Sequence, residues 1–455
     1  MLDKIKKLIK DFNIDYYEIR IQENKLTKIS LIKNKVDEIN EVIDNGGSIR
    51  LFYNGCWNFI SFNSFDELKN KINSLFIEKF KYFQKQKKIN INLLKPIKAK
   101  QENKVKVDFE KIKLDDKLFN CFKYSKILNK NKKLISSSVL YADALRYEYL
   151  ITSEEVEIET KIKFCGIYFS GTAKDGMNVQ TAYHSTGNLE GYQIVLNLEK
   201  EVEDVIKRTI ELIKAKPVEP GIYTVIIDPK LCGVFTHEAF GHLNEADFIY
   251  ENPQFKKVLK LGKRLANDIV TIIDDPTLEG LAGHYLFDSE GTPAQKTFLL
   301  KNGILTGRLH SKETAVKMKE KETGNARSIS YHFPPIVRMS NTYLAQGPHK
   351  FEEVLSETKN GIYAIGSLGG MTNTEMFTFS AEEAYLIKDG KLTEKIRDVV
   401  LSGNVFSTLL NIDRVCDDLK FSGGLGGCGK AGQSPLRVSD GGPHIRIKNV
   451  TIGGK

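Results

Sequence analysis

Residues 226–242 read IIDPKLCGVFTHEAFGH. Ile222–Ile227 is an apolar run of strand length, the pattern of a strand buried on both faces. Asp228-Pro229 then fits an N-cap and a first helical position, so the strand should run straight into a helix. The far end of that helix carries His237-Glu238-Ala239-Phe240-Gly241-His242. Two imidazoles and a carboxylate are the materials of a catalytic zinc site: neutral His nitrogens bind the ion, and a Glu beside the first His can take a proton from water. The familiar spacing is H-E-x-x-H, which puts both histidines on one helical face. Here they stand at i and i+5. On a regular helix such side chains diverge by about 140°, because each residue turns about 100°. They can share one ion only if the helix is distorted between them. Gly241 has the backbone freedom to allow a bulge or an early end. A third ligand is still needed. Glu245 is on the face of His242 if the helix resumes, and Asp247 follows; either could instead orient the histidines from behind. The competing reading is two unrelated histidines, one of them a helix cap.

Upstream, Lys216-Pro217-Val218-Glu219-Pro220-Gly221 separates this strand from an amphipathic helix at 198–215, and glycine is richer beyond it. The expected domains are therefore 1–215 and 216–455. Leu2, Ile5, Leu8, Ile9 and Phe12 share one helical face. Tyr17, Ile19 and Ile21 alternate with Glu18, Arg20 and Gln22, a strand period. Strands 48–53 and 56–62 flank Asn54-Gly55, a hairpin signal. Ser64-Phe65-Asp66-Glu67 reads as a capping box for a helix with Leu68, Ile72 and Leu75 inward. The basic stretch 85–103 reads as a loop, 119–134 as a helix and 136–173 as strands.

Downstream, residues 423–433 read GGLGGCGKAGQ. So much glycine excludes a stable helix or a regular strand interior. Gly424–Lys430 mimics the start of a phosphate-binding loop, but Ala431 stands where Ser or Thr must hold magnesium, so that reading fails. What remains is Cys428 on a flexible backbone beside Lys430, which would favour the thiolate that binds soft metals. As a nucleophile, Cys428 would need a base, which His237 or His242 could provide. The other cysteines, at 56, 121, 165, 232 and 416, read as small buried hydrophobes.

The 455 residues are 41% hydrophobic and 27% charged, the balance of a folded protein rather than a disordered one. No apolar run approaches a membrane span, and the start MLDKIKKLIKDF is charged rather than signal-like. With no C-x-x-C pair, a reduced, cytoplasmic protein is expected. Of the net charge of +9, residues 1–134 hold 30 basic against 17 acidic side chains. That excess is mostly Lys among Asn and Ile, with little Arg, and so argues against a nucleic-acid partner.

Several segments, in order, resemble the TldD/PmbA family of zinc metallopeptidases, formerly described as modulators of DNA gyrase. They are 15–39 with the Asn54-Gly55 hairpin, HEAFGH followed by LNEAD at 237–247, DSEGTPAQKTFLLKNGIL at 288–305, TGNARS at 323–328, PPIVRMSNTYL at 334–344, FTFSAEEAYLIKDGKL at 377–392 and CGKAGQ at 428–433. The resemblance implies an α+β fold, with an N-terminal mixed domain and a β-rich C-terminal domain carrying the metal. It implies His237, His242 and Cys428 as zinc ligands and Glu238 as general base. It also implies a dimer, with a second copy or with a paralogue lacking the metal motif, that cuts short or unfolded peptides in an enclosed cavity. Ser340, where the family tends to have Thr, and the Lys-rich first third are departures outside the metal set. The oxyanion donor is open among His284, Arg338, Tyr331 and glycine-loop amides. The alternative function is a non-catalytic partner of a topoisomerase-like machine with a structural metal.

Overall fold

Strand β1 (Tyr16–Ile32) alternates as its sequence predicts, but both of its faces are covered. Ile19, Ile29 and Leu31 are fully buried against helices, while Glu18, Arg20 and Gln22 on the opposite face are at most 2% exposed. The computed structural model describes residues 5, 14–53, 56–78 and 94–453, with the side chains of 73–78 outside that description. Among them β1, β2 (Lys35–Tyr53), β3 (Cys56–Phe62), β4 (Ile97–Glu102), β5 (Leu134–Thr152), β6 (Val156–Asp175) and β7 (Asn178–Asn188) form one sheet. Its order is β3-β2-β1-β5-β6-β4, with β7 on the far half of β6. Only the β4–β6 pairing is parallel.

Helices α1 (Phe65–Glu78), α2 (Leu114–Lys130) and α3 (Glu199–Lys214) cover one face. Ser64 caps α1 by accepting from the Glu67 N–H at 3.2 Å, and Leu68 and Ile72 are fully buried. Helix α2 starts before the expected 119 and stops at 130, where β5 takes over. The expected loop at 85–103 holds β4, whose Ile97, Ala99 and Gln101 point inward at the sheet edge. Of the expected N-terminal helical face only Ile5 lies among the described residues, and it is buried. The Asn54-Gly55 turn lies outside them, although Tyr53 and Cys56 pair across it.

The remainder is strand-rich, so the chain as a whole is mixed α/β. Strand β9 (Gly221–Ile227) follows the short β8 (Lys216–Pro217) and lies inside a ten-stranded sheet. It is parallel to Asn360–Ile365 and antiparallel to Ile445–Gly453. Asp228 caps helix α4 (Pro229–Phe235), accepting from the Leu231 N–H at 2.9 Å with Pro229 at the first turn. Beneath α4 lies a six-stranded sheet in which Asn341–Leu344 runs parallel to Ser439–Gly442. Leu231, Phe235, Ala239 and Phe240 lock α4 and its continuation into the main core. Full burial of one such large side chain stabilises by about 1.5–3 kcal/mol. Among the described residues, no helix is long and apolar enough to cross a membrane.

Candidate metal centre

Beyond Phe235 the helix widens. Thr236–Gly241 is a π-turn, closed by the His242 N–H donating to the His237 carbonyl, and a 3₁₀ turn at His242–Asn244 follows. A turn closed from i to i+5 brings those two positions one above the other. The rings of His237 and His242 therefore meet edge to face, with centroids 5.2 Å apart. The expected distortion is present, but not through glycine's backbone freedom. Gly241 has φ −57° and ψ −52°, ordinary right-handed values. What a side chain there would meet is its neighbour: a Cβ on Gly241 would stand 2.1 Å from the Met339 sulfur, so Met339 would have to shift.

Cys428 comes from the glycine-rich segment. Residues 423–427 are irregular, then Cys428–Lys430 pairs with Gln433–Leu436 in a short hairpin. Fully buried Arg338 clamps that hairpin, donating to the carbonyls of Cys428 at 2.7 Å and Gln433 at 3.2 Å. Candidate ligand atoms of His237, His242 and Cys428 all lie within 4.8 Å of one another. The Cys428 sulfur is 3.5 Å from His242 Nε2, and Glu238 Oε2 is 3.7 Å from the same nitrogen.

A carboxylate stands at the opposite edge of each imidazole, hydrogen-bonded to His242 and in close contact, without hydrogen-bond geometry, with His237. Glu245 Oε2 is 2.9 Å from His242 Nδ1, and Asp440 Oδ1 is 2.8 Å from His237 Nδ1, leaving the Nε2 atoms for the cluster. So of the two candidate third ligands, Glu245 sits behind His242. Asp247 joins it through Lys430, whose ammonium lies 3.1 Å from Glu245 and 2.7 Å from Asp247. Lys430 therefore does not serve the thiolate as its position in the sequence suggests. Burial raises the Cys428 thiol, but His237 and His242 outweigh it and bring it down to about 5. Burial lowers His242, yet Glu245 and then Cys428 carry it up to about 9. Burial also pushes Glu238 above the usual carboxylate range, against the pull of the two imidazoles. Glu245 is held below its ordinary value: burial opposes this, and Lys430 and His242 prevail.

Asp440 was not legible in the sequence. It lies in Ser439–Gly442, about 200 positions from His237, and no motif marks it. The oxyanion candidates fare differently. Arg338 gives both terminal nitrogens to the hairpin and keeps its buried Nε unpartnered, Tyr331 donates to Asp44 at 2.6 Å on the side of the first sheet, and His284 Nδ1 contacts the Pro276 carbonyl at 2.8 Å. Ser340 keeps the hydroxyl bond that a Thr would make, donating to Asp274 at 2.7 Å.

The chain matches family models described as PmbA/TldA metallopeptidase domain 1 over residues 17–76, central domain over 106–216 and C-terminal domain over 220–454. A metalloprotease of Synechocystis sp. is 41% identical over 445 residues, which span 97% of this chain and 95% of that one. The zinc metalloprotease TldD homolog of Saccharolobus solfataricus is 27% identical over 461 residues, all of both chains. The crystal structure of TldE from Thermococcus kodakarensis superposes with a TM-score of 0.78 over 100% of both chains, at 17% identity, a likeness of fold. With the three family models in chain order and this identity along its length, the chain belongs to the TldD/PmbA family of metallopeptidases.

Proposed function

We propose that this protein is a zinc-dependent peptidase acting on short or unfolded peptides, with residues 216–455 as its metallopeptidase domain and 1–215 as the domain before it. The observation that carries this reading is one cluster of His237, His242 and Cys428 with Glu238 beside it. The donor set suits the ion: two imidazoles backed by carboxylates, and a thiol already drawn toward its thiolate. Bound there, zinc would polarise the scissile carbonyl and lower the pKa of water to about 7. The chain supplies the rest. Glu245 and Asp440 hold the imidazoles in one tautomer and orientation. Glu238 takes the proton of the attacking water and returns it to the leaving amine; its raised pKa suits it to both tasks.

A structural zinc normally has four protein ligands. Among the described residues the group this close has three, which favours catalysis over a purely structural metal. The family name TldD among the relatives, beside TldE, supports assembly with a second copy or a paralogue. Six free cysteines suit a cytoplasmic protein. The test is Glu238→Gln: zinc content by elemental analysis should stay at about one per chain, while cleavage of an unstructured peptide falls by about 10²–10⁴-fold. Near wild-type cleavage by the purified variant would place the base elsewhere.

A further inference from the structure

Between the face of β1, β5 and β6 and the C-terminal segments lies a cavity of about 420 Å³. Much of its wall is apolar, including Leu150, Ile158 and Phe164. Three arginines border it: Arg146, Arg327 and Arg437. Neutral acceptors hold each one. Arg146 donates to the Ile329 carbonyl and to Asn24 Oδ1, the latter at 3.2 Å. Arg327 donates to the carbonyls of Met339 at 2.5 Å and Arg437 at 2.9 Å. Arg437 donates to those of Leu425 at 2.7 Å and Gly426 at 3.1 Å, with its guanidinium 4.0 Å from the Phe164 ring centroid.

Among the described residues, none of the three forms an ion pair with a carboxylate within 4.0 Å. The acids that share the cavity are engaged otherwise. Asp288 accepts backbone N–H groups of Glu290, Thr292 and Ala326 at 2.9–3.0 Å. Asp44 takes the Tyr331 hydroxyl, and Glu148 the Gln22 amide. Burial, then repulsion from Arg146, lowers Arg437 to about 10. Glu148 and Asp274 offset Arg146 and Arg327 only in part and from a distance, which leaves positive charge over, and a guanidinium has more N–H donors than these bonds consume. An anion entering the cavity would relieve both.

The cavity adjoins the metal cluster. Leu436, which lines it, pairs with Cys428 across the hairpin, and Arg437 is the next residue. We propose that Arg146, Arg327 and Arg437 form a subsite for a carboxylate of the peptide substrate, flanked by an apolar side chain in the same cavity. The carboxylate is either the chain's C-terminus or an Asp or Glu side chain. This rests on the peptidase reading and adds to it a preference for acidic substrates.

The test uses the full-length protein and four fluorescent peptides of one sequence: C-terminal acid or amide, each with an internal Glu or Gln. Binding is read by anisotropy on the zinc-loaded Glu238→Gln variant, and cleavage on the wild type. The favoured carboxylate should bind about 10–100-fold more tightly than its amide. The acid–amide and Glu–Gln comparisons tell the two sources apart. In Arg146→Gln/Arg437→Gln that preference should collapse, with folding checked by circular dichroism. Should the double variant not fold, N-acetyl-leucine should still raise the melting temperature of the wild type while N-acetyl-leucinamide does not. Equal binding of all four peptides, with cleavage intact, would overturn the subsite and leave the peptidase standing. Selective binding with no wild-type cleavage would support the anion site and remove the peptidase.

Discussion

Alanine at 241 separates two explanations of the glycine between the histidines. If its backbone freedom mattered, Ala would be costly in any surroundings. Gly241, however, sits at φ −57° and ψ −52°, where Ala is favoured over Gly by about 0.5–1 kcal/mol. Against that gain, its Cβ would stand 2.1 Å from Met339 Sδ and 3.3 Å from Met339 Cε. Met339 is fully buried, and Arg327 holds its carbonyl at 2.5 Å, so its side chain must shift within a packed core. Overpacking of this kind costs about 1–3 kcal/mol, so after that gain the net loss is at most about 2.5 kcal/mol. Pushing the turn away from Met339 also moves His242, so zinc affinity should fall together with stability. The assay is a double-mutant cycle of Gly241→Ala and Met339→Ala, read by urea unfolding of the metal-free protein and by zinc competition with a chromogenic chelator. The alanine cost should largely vanish in the Met339→Ala background. If Met339→Ala leaves the effect of Gly241→Ala unchanged, so that the two positions show no coupling, the packing account is wrong.

Other consequences can be measured separately. Asp440→Asn and Glu245→Gln should each weaken zinc binding by about 10–100-fold in chelator competition, because each leaves one imidazole unoriented; unchanged affinity in both would deny them that role. Arg50→Met strands Glu18 and Glu290, which lie 3.3 and 2.5 Å from the guanidinium in an almost fully buried cluster. It should cost about 3–5 kcal/mol in denaturant unfolding, and a loss under 1 kcal/mol would count against that cluster as a structural lock. Arg446 and Lys448 hold Asp413 below its ordinary carboxylate pKa although burial pulls the other way. Its contribution is therefore complete above the unfolded value and fades as pH falls through the lower, folded one. Asp413→Asn should destabilise by about 1–2 kcal/mol at pH 7, and the gap to wild type should close at acid pH; a pH-independent gap would contradict this.

Local physics made part of this protein legible in one dimension. A strand feeding a helix through Asp228-Pro229 is a matter of backbone preference and neighbouring groups, and the sequence alone determines it. The same holds for the distortion between His237 and His242, which follows from helical geometry once both are asked to face one point. The cause of the glycine was not local. It lies in Met339, about 100 residues away, and only packing reveals it. Asp440 behind His237, Lys430 turned toward Glu245 and Asp247, and Arg338 clamping the Cys428 hairpin are likewise long-range contacts that no spacing encodes. Strand β1 makes the same point on the scale of a domain. Its alternation sets Ile19 and Ile21 apart from Glu18, Arg20 and Gln22, and the period fixes which residues share a face. A period cannot say what covers that face. The tertiary structure turns the polar side into a buried contact, through Arg20 to Ser328 and the Phe333 carbonyl and Gln22 to the Tyr331 N–H, because a second body with complementary donors and acceptors closes over it.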